Sequence, residues 1–165
     1  MTVFLVVGTN GAGKSTFIAN CLEKNILPKV EYVAQGFHNA NYFSKMDEEN
    51  LNLKRLKEFH KYKINKLIGE KSPFIFEHAL SKKDVFEIIK NAKKNNYRIV
   101  SFYLNTDSPL VNIKNIKKRV IEGGHSCNII KVFFRYYLSN KNYKHLKELS
   151  DELYVFDNGM LYFIK

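Results

Sequence analysis

The sequence predicts an α/β fold in which a mostly parallel sheet is covered by helices on both faces. Three observations carry that expectation. Near-continuous apolar runs, Val3 to Val7 (VFLVV) and Arg98 to Leu104 (RIVSFYL), read as strands buried on both sides. Segments with helical spacing separate those runs, the alternation that builds a parallel sheet. Gly8 to Ser15 follows the first run without a spacer as G-x-x-x-x-G-K-S, a phosphate-binding loop at a strand-to-helix junction.

The loop is the most informative stretch. Its glycines let the backbone turn tightly and aim N–H groups at phosphate oxygens, with Gly8, Thr9, Asn10, Gly11, Ala12 and Gly13 forming the cradle. Lys14 is expected to reach the β- and γ-phosphates and the Ser15 hydroxyl to sit on Mg²⁺. Thr16 belongs to a helix whose positive N-terminal end completes the cradle. A complete motif between a strand and a helix predicts a nucleoside triphosphate site, for ATP or GTP with Mg²⁺, in a P-loop NTPase/kinase fold.

The helix continues through Phe17 to Leu22 and stops before Pro28. Val30 to Ala34 (VEYVA) reads as a second strand. Gln35 to Met46, with Gly36, His38, Asn39, Asn41 and Ser44, reads as an irregular connection near the site. Leu53, Leu56, His60, Ile64 and Leu67 share one helical face, with His60 at the core's edge and Gly69 as the stop. Phe74-Ile75-Phe76-Glu77 reads as an apolar strand ending in a carboxylate. Ser81 with Asp84 reads as a capping box, opening a helix whose stripe is Val85, Phe86, Ile88, Ile89 and Ala92.

After the strand Arg98 to Leu104, Ser108-Pro109 opens a helix with Leu110, Ile113, Ile116 and Val120 expected inward, stopping at Gly123-Gly124. An aromatic helix (Phe133, Phe134, Tyr136, Tyr137) and a further Lys-rich helix to about Leu149 are expected next. Leu153 to Phe156 reads as a strand, and Asn158-Gly159 as a tight turn into Met160 to Ile164. With no linker or repeat, residues 1–165 are expected to form one domain.

Composition narrows the function classes. A hydrophobic share of 45% with 14% aromatic is that of a globular chain. Cys21 and Cys127 form neither a metal-type spacing nor a disulfide framework, which points to the cytoplasm. No stretch approaches a membrane span, and the first apolar run is too short for a signal peptide. The net charge of +11 raises nucleic acid as a partner. The lysines are dispersed among asparagines, as in Lys90, Lys93, Lys94, Asn95 and Asn96, and read as a solvated surface instead.

In a parallel α/β sheet the ligand lies at the carboxyl ends of the strands. That rule gathers the P-loop, the region after Ala34, Glu77 and the segment after Asn105 around one cleft. Glu77 is expected to orient a Mg²⁺-bound water or to hold an acceptor hydroxyl. His78 has no evident partner in the sequence. Arg119, one helical turn before Gly123-Gly124-His125, and Arg135 on the next helix read as a small helical lid. Its closure would bring guanidinium groups onto a transferring phosphoryl group.

The complete P-loop, Phe76-Glu77-His78-Ala79-Leu80-Ser81, Arg119-Val120-x-x-Gly123-Gly124-His125, Arg135-Tyr136 and Phe156-Asp157-Asn158 together resemble the zeta toxin family over nearly the whole chain. The R-V-x-x-G-G-H segment is the most specific part. The resemblance implies a P-loop kinase that phosphorylates UDP-N-acetylglucosamine, with Lys14, Arg119 and Arg135 as its catalytic residues. It also implies neutralisation by a small helical antitoxin, expected as a separate chain. The departures fall in the acceptor half. The family's acidic residue after the second strand aligns with Gly36, and E-T-T-L-S becomes Glu77-His78-Ala79-Leu80-Ser81. Asn128 replaces a proline, Phe134 one arginine of R-R-Y, and Asn115 an arginine one turn before Arg119. His38 or Asp47 are candidates for base or acceptor contact.

The leading expectation is therefore an ATP- or GTP-dependent small-molecule phosphotransferase with a nucleotide-sugar acceptor. The alternatives are a nucleotide-binding relative with weak or lost activity that serves as a regulatory or interaction module, and a nucleic-acid 5′-kinase suggested by the charge.

Overall fold

The computed structural model describes residues 1–34, 53–124, 126–157 and 159–165, with side chains from 58 onward in the second range. Gly36, His38, Asp47, His125 and Asn158 lie outside the described residues, as do the side chains of Leu53 and Leu56. In chain order the elements are β1 (Thr2–Gly8), α1 (Lys14–Glu23), β2 (Glu31–Ala34), α2 (Leu53–Gly69), β3 (Phe74–Ala79) and α3 (Asp84–Lys94). They continue with β4 (Arg98–Leu104), α4 (Pro109–Ile121), α5 (Ile129–Leu149), β5 (Glu152–Asp157) and β6 (Met160–Phe163).

The sheet runs β2-β3-β1-β4-β5-β6, parallel except for β6, which pairs antiparallel with β5. Central β1 pairs with β3 and β4 so that Gly8 lies beside both Ala79 and Leu104. The carboxyl ends of the three strands thus meet where the P-loop begins. Asp157 opposite Met160 closes the expected hairpin.

Alternation along the strands feeds two cores. Val3, Leu5, Val7, Phe74, Phe76, Ile99 and Tyr103 pack on one face with Ile64, Val85, Ile89 and Leu146 from the helices. Val6, Ile75, Val100, Phe102 and Leu104 pack on the other with Ile18 and Cys21 of α1. Successive strand residues point to opposite faces, so Glu77 shares the α1 face with Ile75 while His78 shares the other with Phe76. Cys21 and Cys127 are both free thiols. Among the described residues, no helix is long and apolar enough to cross a membrane.

Four sequence expectations are corrected. The Ser81–Asp84 capping box does not form: α3 begins at Asp84 after Lys83, with no side-chain cap. Asp84 instead lies 3.2 Å from Nε2 of buried His78, whose Nδ1 is 2.9 Å from the Ala79 carbonyl oxygen. The partner for His78 comes from the next helix, and a core histidine results. The expected aromatic and Lys-rich helices are one continuous α5, since no glycine or proline interrupts it. Its start is capped by Asn128, which accepts from the Lys131 N–H at 3.3 Å.

The inward side of α4 carries Pro109, Asn112 and Ile116, whereas Leu110 and Val120 are exposed. Finally, β3 does not end at Glu77 but runs to Ala79, which leaves Glu77 inside the strand and buried.

His60 is buried, as expected of a core histidine. Burial first, then Lys63, His78 and Lys82, hold its imidazole below the ordinary 6.5. As pH falls through 6.5 the unfolded chain takes up a proton that the folded chain resists. Stability is therefore full above that pH and declines below it. Thermal melts between about pH 8 and about pH 5 should show this decline, and His60→Leu should make it shallower.

Candidate functional site

The P-loop turns directly from β1 into α1. Gly13 adopts the left-handed conformation (φ 82) at the helix start, and its carbonyl accepts from the Phe17 N–H at 2.9 Å. Gly11 is also left-handed (φ 83), and a Cβ there would stand 2.5 Å from the Asn112 carbonyl oxygen. Only glycine lets the loop lie this close to α4.

Lys14, the first residue of α1, is buried and donates from Nζ to the Thr9 carbonyl at 3.1 Å. Its Nζ is 4.0 Å from Glu77 Oε1. Burial pushes the Lys14 ammonium below its ordinary value. Glu77 opposes that push, while Arg119 and Arg135 add to it. Three cations around one carboxylate leave a field that favours an incoming anion. Glu77 Oε2 accepts from the Ser15 hydroxyl at 3.0 Å and, through a short hydrogen bond, from the Tyr32 hydroxyl. Burial and then Glu77 raise the Tyr32 phenol well above its usual range, so it stays a protonated donor.

A cleft of about 770 Å³ opens over Gly11 to Phe17, with Glu77, Asn115 and Arg119 in its wall. It extends along α1, past Asn20 and Lys24, to Phe156 and Leu161. This volume is that of a small-molecule site. Gly124 donates to the Arg119 carbonyl at 2.9 Å, and a Cβ on Gly124 would stand 2.6 Å from Arg119 Cγ. The glycine lets the chain fold back over this arginine. Arg135 reaches the same end of the loop: its Nη1 is 4.0 Å from Cys127 Sγ, and Asn10 Nδ2 is 3.8 Å from that sulfur.

The structure therefore brings together the P-loop, Glu77, Arg119 and Arg135, while His38 lies outside the described residues. Phe134, at the position of the second family arginine, is exposed. Sequence reasoning missed Tyr32, Thr106, Asn112 and Cys127. A tyrosine in a strand next to the carboxylate-bearing strand was the available signal for Tyr32. Polar residues packed against loop carbonyls leave no periodic trace. Among the described residues no three His, Cys, Asp or Glu side chains form a metal cluster.

No protein-family model matches the chain. An uncharacterized protein of Haemophilus influenzae is 29% identical over 130 residues, which cover 78% of this chain and 88% of that protein. A structure from the PezAT chromosomal toxin–antitoxin system of Streptococcus pneumoniae matches 99% of this chain and 70% of its own, with a TM-score of 0.66 and 16% identity. A structure of the AvrRxo1-ORF1:AvrRxo1-ORF2 complex matches with a TM-score of 0.70 and 13% identity. This chain is covered to 99% there but spans 57% of the matched chain. At these identities the likeness is one of fold, and the chain has a P-loop kinase-like α/β fold with a mostly parallel six-stranded sheet.

Proposed function

We propose that the chain is an ATP- or GTP-dependent phosphotransferase acting on a hydroxyl of a small acceptor, a nucleotide sugar of the UDP-N-acetylglucosamine kind. The observation that carries this reading is the surround of Lys14. A buried lysine at the head of a complete P-loop is faced by Glu77 and shares its field with Arg119 and Arg135. Phosphoryl transfer depends chiefly on positioning and on neutralising charge, and these groups supply both. A related fold, AvrRxo1-ORF1:-ORF2, has been solved with ATP.

Lys14 is assigned to the phosphates, and Arg119 and Arg135 to the charge that develops on the transferring group. Gly8 to Thr16 cradle the nucleotide. The Ser15 hydroxyl and the Glu77 carboxylate, 3.0 Å apart, are hard oxygen donors that suit Mg²⁺, which keeps most of its waters. Bound there with the nucleotide, Mg²⁺ would neutralise phosphate charge. On this reading Ser15 is its direct ligand, and Glu77 orients a coordinated water or meets the acceptor. His38, following β2 in sequence, is assigned to the acceptor. A separate antitoxin-type partner belongs to the same reading, since the PezAT match comes from a toxin–antitoxin system and the AvrRxo1 match from a two-protein complex.

Gly36, where the resembled family carries its acidic residue, favours a second reading: a nucleotide-binding relative with little or no transfer activity. Loss of a general base typically costs ~10²–10⁴-fold in rate. Incubation with γ-labelled ATP, Mg²⁺ and UDP-N-acetylglucosamine separates the two readings. Label on the sugar nucleotide, confirmed by a mass gain of one phosphoryl group, supports the transferase. Bound ATP with no labelled acceptor supports the binding module.

A further inference from the structure

The back of the P-loop is held by two carboxamides from one face of α4. Asn112, fully buried, donates from Nδ2 to the Asn10 carbonyl at 3.1 Å. Asn115 donates from Nδ2 to the Gly11 carbonyl at 2.9 Å. Two consecutive loop carbonyls are thereby satisfied by residues spaced i, i+3 on a helix. Arg119 follows Asn115 by four residues on the same face, about 6 Å further along the axis. A second chain of bonds reaches the other arginine-bearing helix. Asn112 Oδ1 accepts from the Thr106 hydroxyl at 2.7 Å, and the Thr106 carbonyl accepts from the Tyr136 hydroxyl at 3.0 Å. Tyr136 directly follows Arg135 on α5.

We infer that Asn112 and Asn115 are positioning residues that index Arg119 to the phosphate loop, so that this arginine is preset rather than carried in by a closing segment. The inference rests on the phosphotransferase reading and adds to it. The glycine pair lies beyond Arg119, and α4 is fastened at Asn112 and Asn115, both before it. Any movement at Gly123-Gly124 therefore leaves the spacing between Arg119 and the loop intact. Asn112 joins two groups, the Asn10 carbonyl and the Thr106 hydroxyl, that a shorter side chain would leave unlinked. Asn115 is exposed, and its truncation removes one bond without opening the core.

The test is calorimetric titration of ATP and of ADP, each with Mg²⁺, into the full chain, Asn115→Ala, Arg119→Ala and the double variant. The wild-type chain is expected to prefer ATP. Arg119→Ala should cut that preference about tenfold and Asn115→Ala about threefold, with ADP affinity nearly unchanged. In the Arg119→Ala background, Asn115→Ala should add nothing, because it acts through the arginine. Asn115→Leu, which keeps the approximate size and loses the donor without adding charge, should repeat the pattern. Equal effects in both backgrounds, or no preference for ATP in the wild-type chain, would overturn the inference while the nucleotide site stands. Failure of the wild-type chain to bind either nucleotide would overturn the phosphotransferase reading and the inference with it.

Discussion

Lys14→Ala should abolish measurable turnover and weaken ATP binding by roughly 30-fold to 10³-fold, the usual result of removing one partner of a desolvated charge pair. The expected size follows from where the ammonium sits. Lys14 is buried against the Thr9 carbonyl and 4.0 Å from Glu77, so its ammonium is held at the head of the loop, out of solvent. Its truncation also leaves Glu77 facing the cleft with less compensation, which turns the local field against a triphosphate. Titration calorimetry gives the affinity, and thermal melting confirms that the variant is folded. An unchanged ATP affinity in a folded Lys14→Ala chain would remove the P-loop from the binding account.

Arg119→Ala should act on rate more than on binding. An arginine that meets charge developing on a transferring phosphoryl group contributes on the order of 10³-fold or more to kcat. Affinity for ATP should fall by about tenfold or less, because most of the binding contacts come from the loop. The side chain shares the field around Lys14 and sits on a helix that Asn112 and Asn115 fasten to the loop. Single-turnover kinetics separate the chemical step from nucleotide binding. Parallel loss of affinity and rate would assign Arg119 to ground-state binding only.

Much of the fold was legible because its central unit is contiguous in sequence. The run Val3 to Val7, the loop and the first helix specify one another locally, and the structure places them as expected. Strand positions followed from apolar runs buried on both faces. The misreadings came where tertiary contacts outweigh local pattern. On α4, apolar spacing favours Leu110 and Val120, yet the surface it meets is a loop whose carbonyls need donors. Asn112 is therefore the residue that turns inward. Asp84 satisfies the requirements of a capping box by type and spacing, but His78 claims it from the neighbouring strand.

In α5, Asn140 and Asn142 lie where the aromatic run gives way to the Lys-rich one. The Asn140 side chain accepts from the Tyr103 hydroxyl at 2.7 Å, and Asn142 donates to the Leu80 carbonyl at 2.8 Å. Both thus anchor one continuous helix. The position of Glu77 was legible, whereas its burial was not. Whether a carboxylate lies inside a strand or at its end depends on how far the neighbouring strand continues, and β1 extends opposite it to Gly8.

Release of ADP from ATP and Mg²⁺, measured with and without UDP-N-acetylglucosamine and with Lys14→Ala as the blank, decides whether this cleft transfers a phosphoryl group. Stimulation by the sugar nucleotide above the Lys14→Ala background is the expected result, even with Gly36 in place of an acidic residue. Nucleotide bound by the wild-type chain, with ADP release at the level of Lys14→Ala whether or not the sugar nucleotide is present, would contradict it.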